Sequence, residues 1–405
     1  MSEASVRVRP ADLLYSETET ELRAAVRGVL AGRAAWPDVL ARTETSQTYD
    51  TALWHTLAAD IGVAGLLIPE ALGGAGASCR EAAVVAEEIG RAVAPVPFLG
   101  SAVVATTVLL SVGDSELLEQ LASGRVTAAL AVPFATGPFS AGAGQRREPG
   151  VRLDAPGSGD RPGSYRLTGS VRGVADALPA DVLLVPADGV PYGLYVVEVG
   201  EGIRKDPVVS LDQTRQLCDL TLDRAVARQV ASGAAAEQAV AAALLAGAGV
   251  LASEQLGIAE RCLEMTLTYV KERKQFARPV GGFQAIKHRL ADLWVMVTQA
   301  RAVARAAANG LADQAGAARP DSTPSGGAQP GSEAELLVAL AKAACSDTAM
   351  RAAQETIQLH GGIGFTWEHP AHLFLKRAKA DSIGLGTADA HRAALARLAD
   401  LPAPR

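Results

Sequence analysis

The spacing of apolar positions divides the chain into three parts. From residue 17 to about 125, apolar side chains recur every three or four residues, which is the period of an amphipathic helix. Between about 126 and 230 the pattern changes to short β-branched runs with turns between them, which predicts antiparallel strands. From about 231 the helical period returns, with alternating steps of three and four that indicate a bundle seam.

We therefore predict an α+β chain of three domains. These are an N-terminal helical bundle (residues 1–125), a central antiparallel β-sandwich or barrel (126–230) and a C-terminal helical bundle (231–405). Segments rich in Gly, Pro and Ser predict a loop within 138–164 and a low-complexity loop at 312–332.

Composition and charge exclude several classes of protein. The 405 residues are 49% hydrophobic, which is enough to build cores, and a net charge of −6 argues against a nucleic-acid binder. The four cysteines form no CxxC pair, and no signal-like apolar segment is seen, so we expect a cytoplasmic protein without disulfides. The most apolar stretch, 234–258, is interrupted by Glu and Gly, so we expect no membrane span.

Two local patterns have a simpler structural explanation. Residues 247–252 match a GxGxxA dinucleotide-binding pattern, but a helical run precedes them where that motif needs a strand, so we predict close helix packing. His360, His369 and His372 cluster near Glu368, yet we predict a structural role there and no metal site.

Two long C-terminal segments identify a family. KERKQFARPVGGFQAIKHRLAD, which begins at Lys271, and HGGIGFTWEHP, which begins at His360, closely resemble the acyl-CoA dehydrogenase family in order and content. Helical segments at 53–78 and 87–98 share the resemblance, which covers about three-quarters of the chain. The resemblance implies an N-terminal helical bundle, a central β domain and a C-terminal four-helix bundle. It also implies a tetramer, bound FAD and oxidation of an acyl-CoA thioester with electrons passed to an electron-transfer flavoprotein.

In that family the pyrophosphate and adenosine ends of FAD reach helices of a neighbouring subunit. The resemblance assigns this role to Arg273 and Phe276 in the first segment, and to Gln284 eleven residues after the arginine. A guanidinium suits a pyrophosphate because it offers several fixed donors. The remaining residues that the resemblance assigns to the cofactor are Gln358, Gly361, Gly362 and Thr387.

The catalytic base of the family is missing. In the common type a glutamate precedes the final Gly-Thr, but Leu385 stands there, and Gly247 stands at the alternative position. Neither residue can accept a proton. Glu254 and Glu237 lie nearby in sequence but not at the matching position, and Glu254 is the better candidate for a displaced base.

The flavin-ring motifs of the β domain are also absent. The family's TEPxxGSD-like stretch corresponds to residues 132–140, which keep neither the acidic residue nor the Gly-Ser-Asp. Its later Trp-Ile-Thr motif corresponds to 173–175, Gly-Val-Ala. The half of the cofactor site offered to a neighbour therefore persists, while the chain's own half is lost.

This selective loss resembles the non-catalytic subunit of heterotetrameric actinobacterial acyl-CoA dehydrogenases that degrade sterol side chains. The resulting hypothesis is a subunit that is inactive alone and shares FAD at the interface with a paralogous catalytic subunit acting on a bulky acyl-CoA. Two alternatives remain open: a self-sufficient homo-oligomeric flavoenzyme with a displaced base, and a non-enzymatic assembly protein of the same fold.

Overall fold

The computed structural model describes residues 13–139, 150–154, 164–189, 191–317 and 330–401. Within these residues the chain contains eleven α-helices and nine β-strands. The order is helices, then strands, then helices, as the apolar periodicity predicts.

The N-terminal part contains six α-helices. Their bounds are Glu17–Arg33 (α1), Trp36–Thr43 (α2), Thr51–His55 (α3), Cys79–Ala92 (α4), Thr106–Val112 (α5) and Ser115–Ala122 (α6). Ser16 and Ser78 begin α1 and α4 in capping boxes, in which a serine and the glutamate three residues later satisfy each other's backbone N–H groups. A π-helical segment, Phe98–Ala105, leads directly into α5.

The central part is one curled, seven-stranded sheet. Its strands are Ala128–Leu130 (β1), Val151–Leu153 (β2), Ser164–Ala175 (β3), Val182–Ala187 (β4), Gly193–Glu198 (β5), Ile203–Pro207 (β6) and Leu217–Ser232 (β7). The order is β1-β4-β5-β7-β3-β2, and β6 also pairs with β7.

Two predictions for this part of the chain need correction, one on strand direction and one on the loop 138–164. The β1–β4 pair is parallel, because the chain leaves β1 through a long excursion that includes β2 and β3 before it returns beside β1. The predicted loop 138–164 contains the short strand β2, which pairs with β3. Its residues 140–149 and 155–163 lie outside the described part of the chain.

The C-terminal part is a bundle of long helices. Its elements are Ala234–Glu272 (α7), Lys274–Gln275 (β8), Arg278–Pro279 (β9), Gln284–Ala317 (α8), Pro330–His360 (α9), Ala371–Ile383 (α10) and Ala388–Leu398 (α11). Helices extend into the predicted loop 312–332 from both sides, because α8 continues to Ala317 and α9 begins at Pro330. Residues 318–329 lie outside the described part.

Helix α7 is the central element of the core. It is long and apolar enough to cross a membrane, yet 67% of its most apolar window is buried within the fold. A Cβ added to Gly257 would lie 1.9 Å from the carbonyl oxygen of Glu87, so α7 and α4 pack backbone against backbone. A Cβ at Gly249 would meet Leu311 at 2.5 Å, which confirms that the GxGxxA run serves helix packing. All four cysteines are free and buried.

Candidate functional site

A short hairpin at the end of α7 carries the first predicted cofactor residues. Arg273 is the C-cap of α7, and β8 pairs with β9 immediately afterwards. Phe276 and Ala277 both have positive φ, 52° and 60°, as a two-residue hairpin turn with matching twist requires. The turn holds the Phe276 ring outward, where it is 87% exposed.

A pair of stacked rings joins this hairpin to the glycine turn. Tyr269, one helical turn before Arg273, stacks on His360 with ring centroids 4.4 Å apart. His360 is the last residue of α9 and directly precedes Gly361. The two predicted segments, far apart in sequence, therefore lie at the same end of the C-terminal bundle.

The glycine turn is open on its outer side. Gly361 has a φ of +62°, the left-handed conformation that commonly ends a helix. A Cβ added to Gly361 or Gly362 would meet no heavy atom within 4 Å. A ligand could therefore approach this backbone more closely than side chains would permit.

The polar side chains around this end are available for a ligand. Arg273, Gln284 and Gln358 are exposed. Arg273 forms no ion pair with any residue in the described part of the chain. An unpaired guanidinium beside open backbone is chemically suited to a diphosphate anion. The residues present at this end fit the pyrophosphate part of FAD.

Thr387 lies elsewhere in the chain. It is the N-cap of α11, and its hydroxyl accepts a hydrogen bond from the Ala390 amide at 3.3 Å. The preceding carbonyl, of Gly386, accepts from Lys342 Nζ at 3.3 Å. Lys342 and Gln358 are both on α9, about 24 Å apart along the helix. Thr387 is therefore not brought together with the hairpin and the glycine turn within one chain.

Leu385 and Gly247, the two positions that the resemblance assigns to the family's base, converge in the structure. Leu385 is 4% exposed, and its Cδ1 lies 3.0 Å from where a Cβ on Gly247 would be. Val104 Cγ2 closes the same space, at 2.8 Å from that point. The space that a catalytic carboxylate would occupy is thus filled by apolar side chains packed on a glycine backbone.

The segments that correspond to the flavin-ring motifs contact each other directly. The Phe134 amide donates to the Gly173 carbonyl at 2.9 Å, and the Leu385 amide donates to the Phe134 carbonyl at 2.7 Å. A Cβ on Gly384 would lie only 2.2 Å from the Phe134 ring, so the ring lies flush against this turn. The residues present here do not fit a flavin ring between these segments.

Glu254, the candidate displaced base, is held in a buried ion pair. Its two carboxylate oxygens accept from Arg215 Nη2 at 2.6 and 2.5 Å, and the side chain is 2% exposed. Burial alone would raise the pKa of Glu254, but the charges of Arg215 and Arg377 outweigh it and lower the pKa below its ordinary value. A carboxylate so paired is a poor general base and cannot be reached by a substrate.

The residues around Glu254 could not be found from the sequence. Arg215 lies in the loop between β6 and β7, while Arg377 and Asp381 belong to α10. No local spacing connects these positions, and only the folded chain brings them together.

We expect the removal of the Asp381 charge and the removal of the Glu254 charge to have different effects on thermal stability. Burial, followed by the charge of Glu254, raises the pKa of Asp381 to about 8. The folded chain therefore binds a proton that the unfolded chain loses near pH 4, so this group's contribution to stability falls as pH rises from about 4 to 8. Asp381→Asn should flatten the decline of the melting temperature between pH 6 and 8.5. Glu254→Gln should lower the melting temperature throughout, because Arg215 loses its partner. Equal effects of the two variants in thermal unfolding would contradict this assignment.

We expect Gly247→Ala to destabilise the chain through Leu385. The added methyl would meet Leu385 and Val104 at or below 3.0 Å, and overpacking of this kind costs about 1–3 kcal/mol. In the double variant with Leu385→Ala, the loss in free energy of unfolding should be smaller than the sum of the two single losses. The smaller side chain at position 385 makes room for the methyl added at position 247. If the changes in the free energy of unfolding, measured in urea, are strictly additive, the two side chains do not share the space.

The histidine cluster is built from ring contacts. His369 lies 4.2 Å from His360 between ring centroids, and His372 packs edge-on against Trp367 at 4.5 Å. Burial, followed by the neighbouring positive groups, lowers the pKa of both His369 and His372 to about 4. In the described residues no three His, Cys, Asp or Glu side chains are grouped so as to hold a metal ion.

The helical, sheet and helical parts define a fold shared by flavoproteins that oxidise acyl thioesters. The acyl-CoA dehydrogenase N-terminal domain matches residues 16–125, and the acyl-CoA dehydrogenase C-terminal domain matches residues 237–399. These matches flank the sheet. The chain belongs to the acyl-CoA dehydrogenase family.

Relatives extend the likeness over the whole chain. The acyl-CoA dehydrogenase IpdE2 of Mycobacterium tuberculosis is 33% identical over 89% of this chain and 91% of its own length. A variant of the steroid acyl-CoA dehydrogenase Tcur3481–Tcur3483 is 30% identical, with a TM-score of 0.75 over 95% of this chain and 98% of that chain. The ChsE4–ChsE5 complex of Mycobacterium tuberculosis is 28% identical, with a TM-score of 0.80 over 97% of this chain and 100% of that chain.

Proposed function

We propose that this chain is the non-catalytic subunit of a heteromeric, FAD-dependent acyl-CoA dehydrogenase. The observation that carries the proposal is the contrast between two regions of one chain. The region that corresponds to the family's own-chain flavin ring and base is filled by Phe134 and Leu385. The region that corresponds to cross-subunit cofactor contacts is exposed, with Arg273 unpaired among the described residues.

Each predicted residue then has a defined task toward a cofactor whose ring lies in a partner subunit. Arg273 would donate hydrogen bonds to the pyrophosphate, and the Gly361–Gly362 turn would let backbone approach it. Phe276 would lie beside the cofactor, Gln284 would approach its adenosine end, and Gln358 would lie with the glycine turn at the pyrophosphate. FAD would supply the hydride acceptor for oxidation of the acyl-CoA, and the partner would supply the base. Thr387 would meet the cofactor only from a different direction, since it lies far from the hairpin.

The distribution of exposed aromatic side chains supports an assembly through the C-terminal bundle. The large aromatic side chains exposed in the described residues are all on this bundle, namely Phe276, Trp294, Phe365 and Trp367, each between 59% and 87% exposed. Aromatic residues are enriched at protein interfaces relative to other surfaces. A partner of the same fold would cover them.

The relatives suggest the chemical class of the substrate and partner. Tcur3481–Tcur3483 is described as a steroid acyl-CoA dehydrogenase, and its name joins two proteins. ChsE4–ChsE5 is described as a complex. We infer by analogy a bulky acyl-CoA of the sterol side-chain type, a paralogous catalytic subunit and an electron-transfer flavoprotein as electron acceptor. A cytoplasmic location fits the four free cysteines.

Activity measurements on separate and combined subunits test the proposal. We would assay three samples with acyl-CoA and a dye acceptor: this chain alone, its paralogue alone and the complex of the two. The expected result is turnover by the complex, with none by this chain alone. Turnover by this chain alone would instead establish a self-sufficient flavoenzyme. A flavin-free complex without turnover would establish an assembly protein.

A further inference from the structure

Six ionisable side chains form a buried group at the centre of the fold, here called the Arg215 cluster. Each is at most 4% exposed, and the members are Asp176, Asp212, Arg215, Glu254, Arg377 and Asp381. Arg215 is the hub of this cluster. Besides its contacts with Glu254, its Nε lies 3.4 Å from an Asp381 oxygen and its Nη1 lies 3.8 Å from an Asp176 oxygen.

The cluster joins all three parts of the chain. Asp176 follows β3, and Tyr49 of the N-terminal part donates its hydroxyl hydrogen to Asp176 at 2.8 Å. Glu254 and Arg377 belong to the C-terminal bundle, and Arg377 also donates to the Ala94 carbonyl of the N-terminal part at 2.9 Å. Arg215 reaches this group from the β6–β7 loop of the sheet.

A tight turn aims Arg215 inward. The carboxylate of Asp212 accepts from the Thr214 amide at 2.9 Å and from the Thr214 hydroxyl at 2.6 Å. The same Asp212 carboxylate lies 3.6 Å from Arg377 Nε. The turn is therefore anchored within the cluster itself, and the arginine needs little freedom to adopt its buried position.

The cluster also borders the closed flavin-ring region. The Arg215 guanidinium lies over the Phe134 ring, 5.5 Å from its centroid. The Asp381 carbonyl accepts from Lys342 Nζ at 2.9 Å, and the same Nζ binds Gly386. On the far side of that turn, His391 Nε2 lies 2.9 Å from the Leu385 oxygen. Arg215 therefore contacts the Phe134 ring on one side, while Lys342 and His391 fix the turn that carries Leu385 on the other.

We propose that the Arg215 cluster is an internal lock that joins the three parts of the chain and keeps its flavin-ring region shut without any cofactor. Charge pairing across the domains then takes the place of a bound group in holding them together. Removing the central cation would take the arginine away from the Glu254 and Asp176 carboxylates while both stay buried, which is strongly destabilising. The inference concerns this chain alone and holds whether or not it joins a catalytic partner.

Thermal unfolding of the isolated chain, with and without excess riboflavin, tests the lock, because riboflavin carries the flavin ring without the pyrophosphate. The wild-type melting temperature should not change with riboflavin, since no site for the ring is open. Arg215→Leu should lower it by about 5–10 °C. Arg204→Leu is the matched control, because it removes the same charge from an exposed side chain on neighbouring β6 and should change the melting temperature by about 1 °C at most. The double variant Arg215→Leu/Glu254→Leu should melt at a higher temperature than Arg215→Leu, because it removes the buried carboxylate together with the arginine that pairs with it.

Hydrogen exchange distinguishes a lock from a merely local ion pair. In Arg215→Leu, peptides 132–139 and 381–387 should exchange at least about tenfold faster than in wild type, while the α8 peptides should not change. Glu254→Gln, which weakens the same contact without removing the arginine, provides a folded variant if Arg215→Leu does not accumulate. Unchanged exchange in both peptides would overturn the proposal. A rise of the wild-type melting temperature with riboflavin would also overturn it.

Discussion

Arg273→Ala in the co-purified complex is expected to weaken FAD binding by about 10- to 100-fold. The guanidinium would donate charge-assisted hydrogen bonds to the pyrophosphate, and bonds to charged groups are worth about 1.5–3 kcal/mol. Because Arg273 is exposed and has no ion pair among the described residues, its removal leaves no buried partner unsatisfied. The fold of this chain should therefore be unaffected. Release of flavin fluorescence on dilution of the complex measures the change.

A matched arginine on the same helix controls for charge alone. Arg261 is exposed on α7 and pairs with Glu264, also exposed, at 3.6 Å. Arg261→Ala should leave FAD affinity within about twofold of wild type, since exposed pairs contribute little. If the two variants release flavin equally, or if neither does, Arg273 does not contact the cofactor.

Leu385→Glu is expected to destabilise the chain by about 4 kcal/mol and to restore no catalysis. The new carboxylate would enter a space bounded by Gly247 and the apolar side chain of Val104. Position 385 also has a φ of 54°, so the backbone is already strained and cannot easily turn the side chain outward. Denaturant unfolding and an acyl-CoA oxidation assay measure the two effects.

The conservative control is Leu385→Met, which keeps volume and polarity and should cost less than about 1.5 kcal/mol. A stable Leu385→Glu chain that oxidises acyl-CoA when supplied with FAD would contradict the closed ring region. It would mean that only the base had been lost.

The order of helices and strands could be predicted because apolar periodicity is a local property. The end of α9 at His360 and the burial of the seam residues Leu290, Leu293 and Val297 follow from spacing and from the following glycines. The parallel β1–β4 pair could not be predicted in this way, since strand pairing depends on contacts between distant segments.

The candidate site could be predicted only in part. The resemblance predicts a cofactor role for Arg273 and Gly361, and the Tyr269–His360 stack brings their segments together. The resemblance also predicts that Leu385 and Gly247 stand at the positions of the base, and in the structure these two positions touch. The Arg215 cluster was missed because its charges come from distant positions in the sheet part and the C-terminal bundle and match no motif.

Flavin stoichiometry tests the central claim most directly. The visible spectrum of this chain purified alone is compared with that of the chain co-purified with its paralogue, and bound FAD is quantified against total protein. The account predicts a colourless isolated chain and a yellow complex with about one FAD per two chains, as a shared interfacial site requires. A fully flavinated isolated chain, with one FAD for each chain, would contradict it.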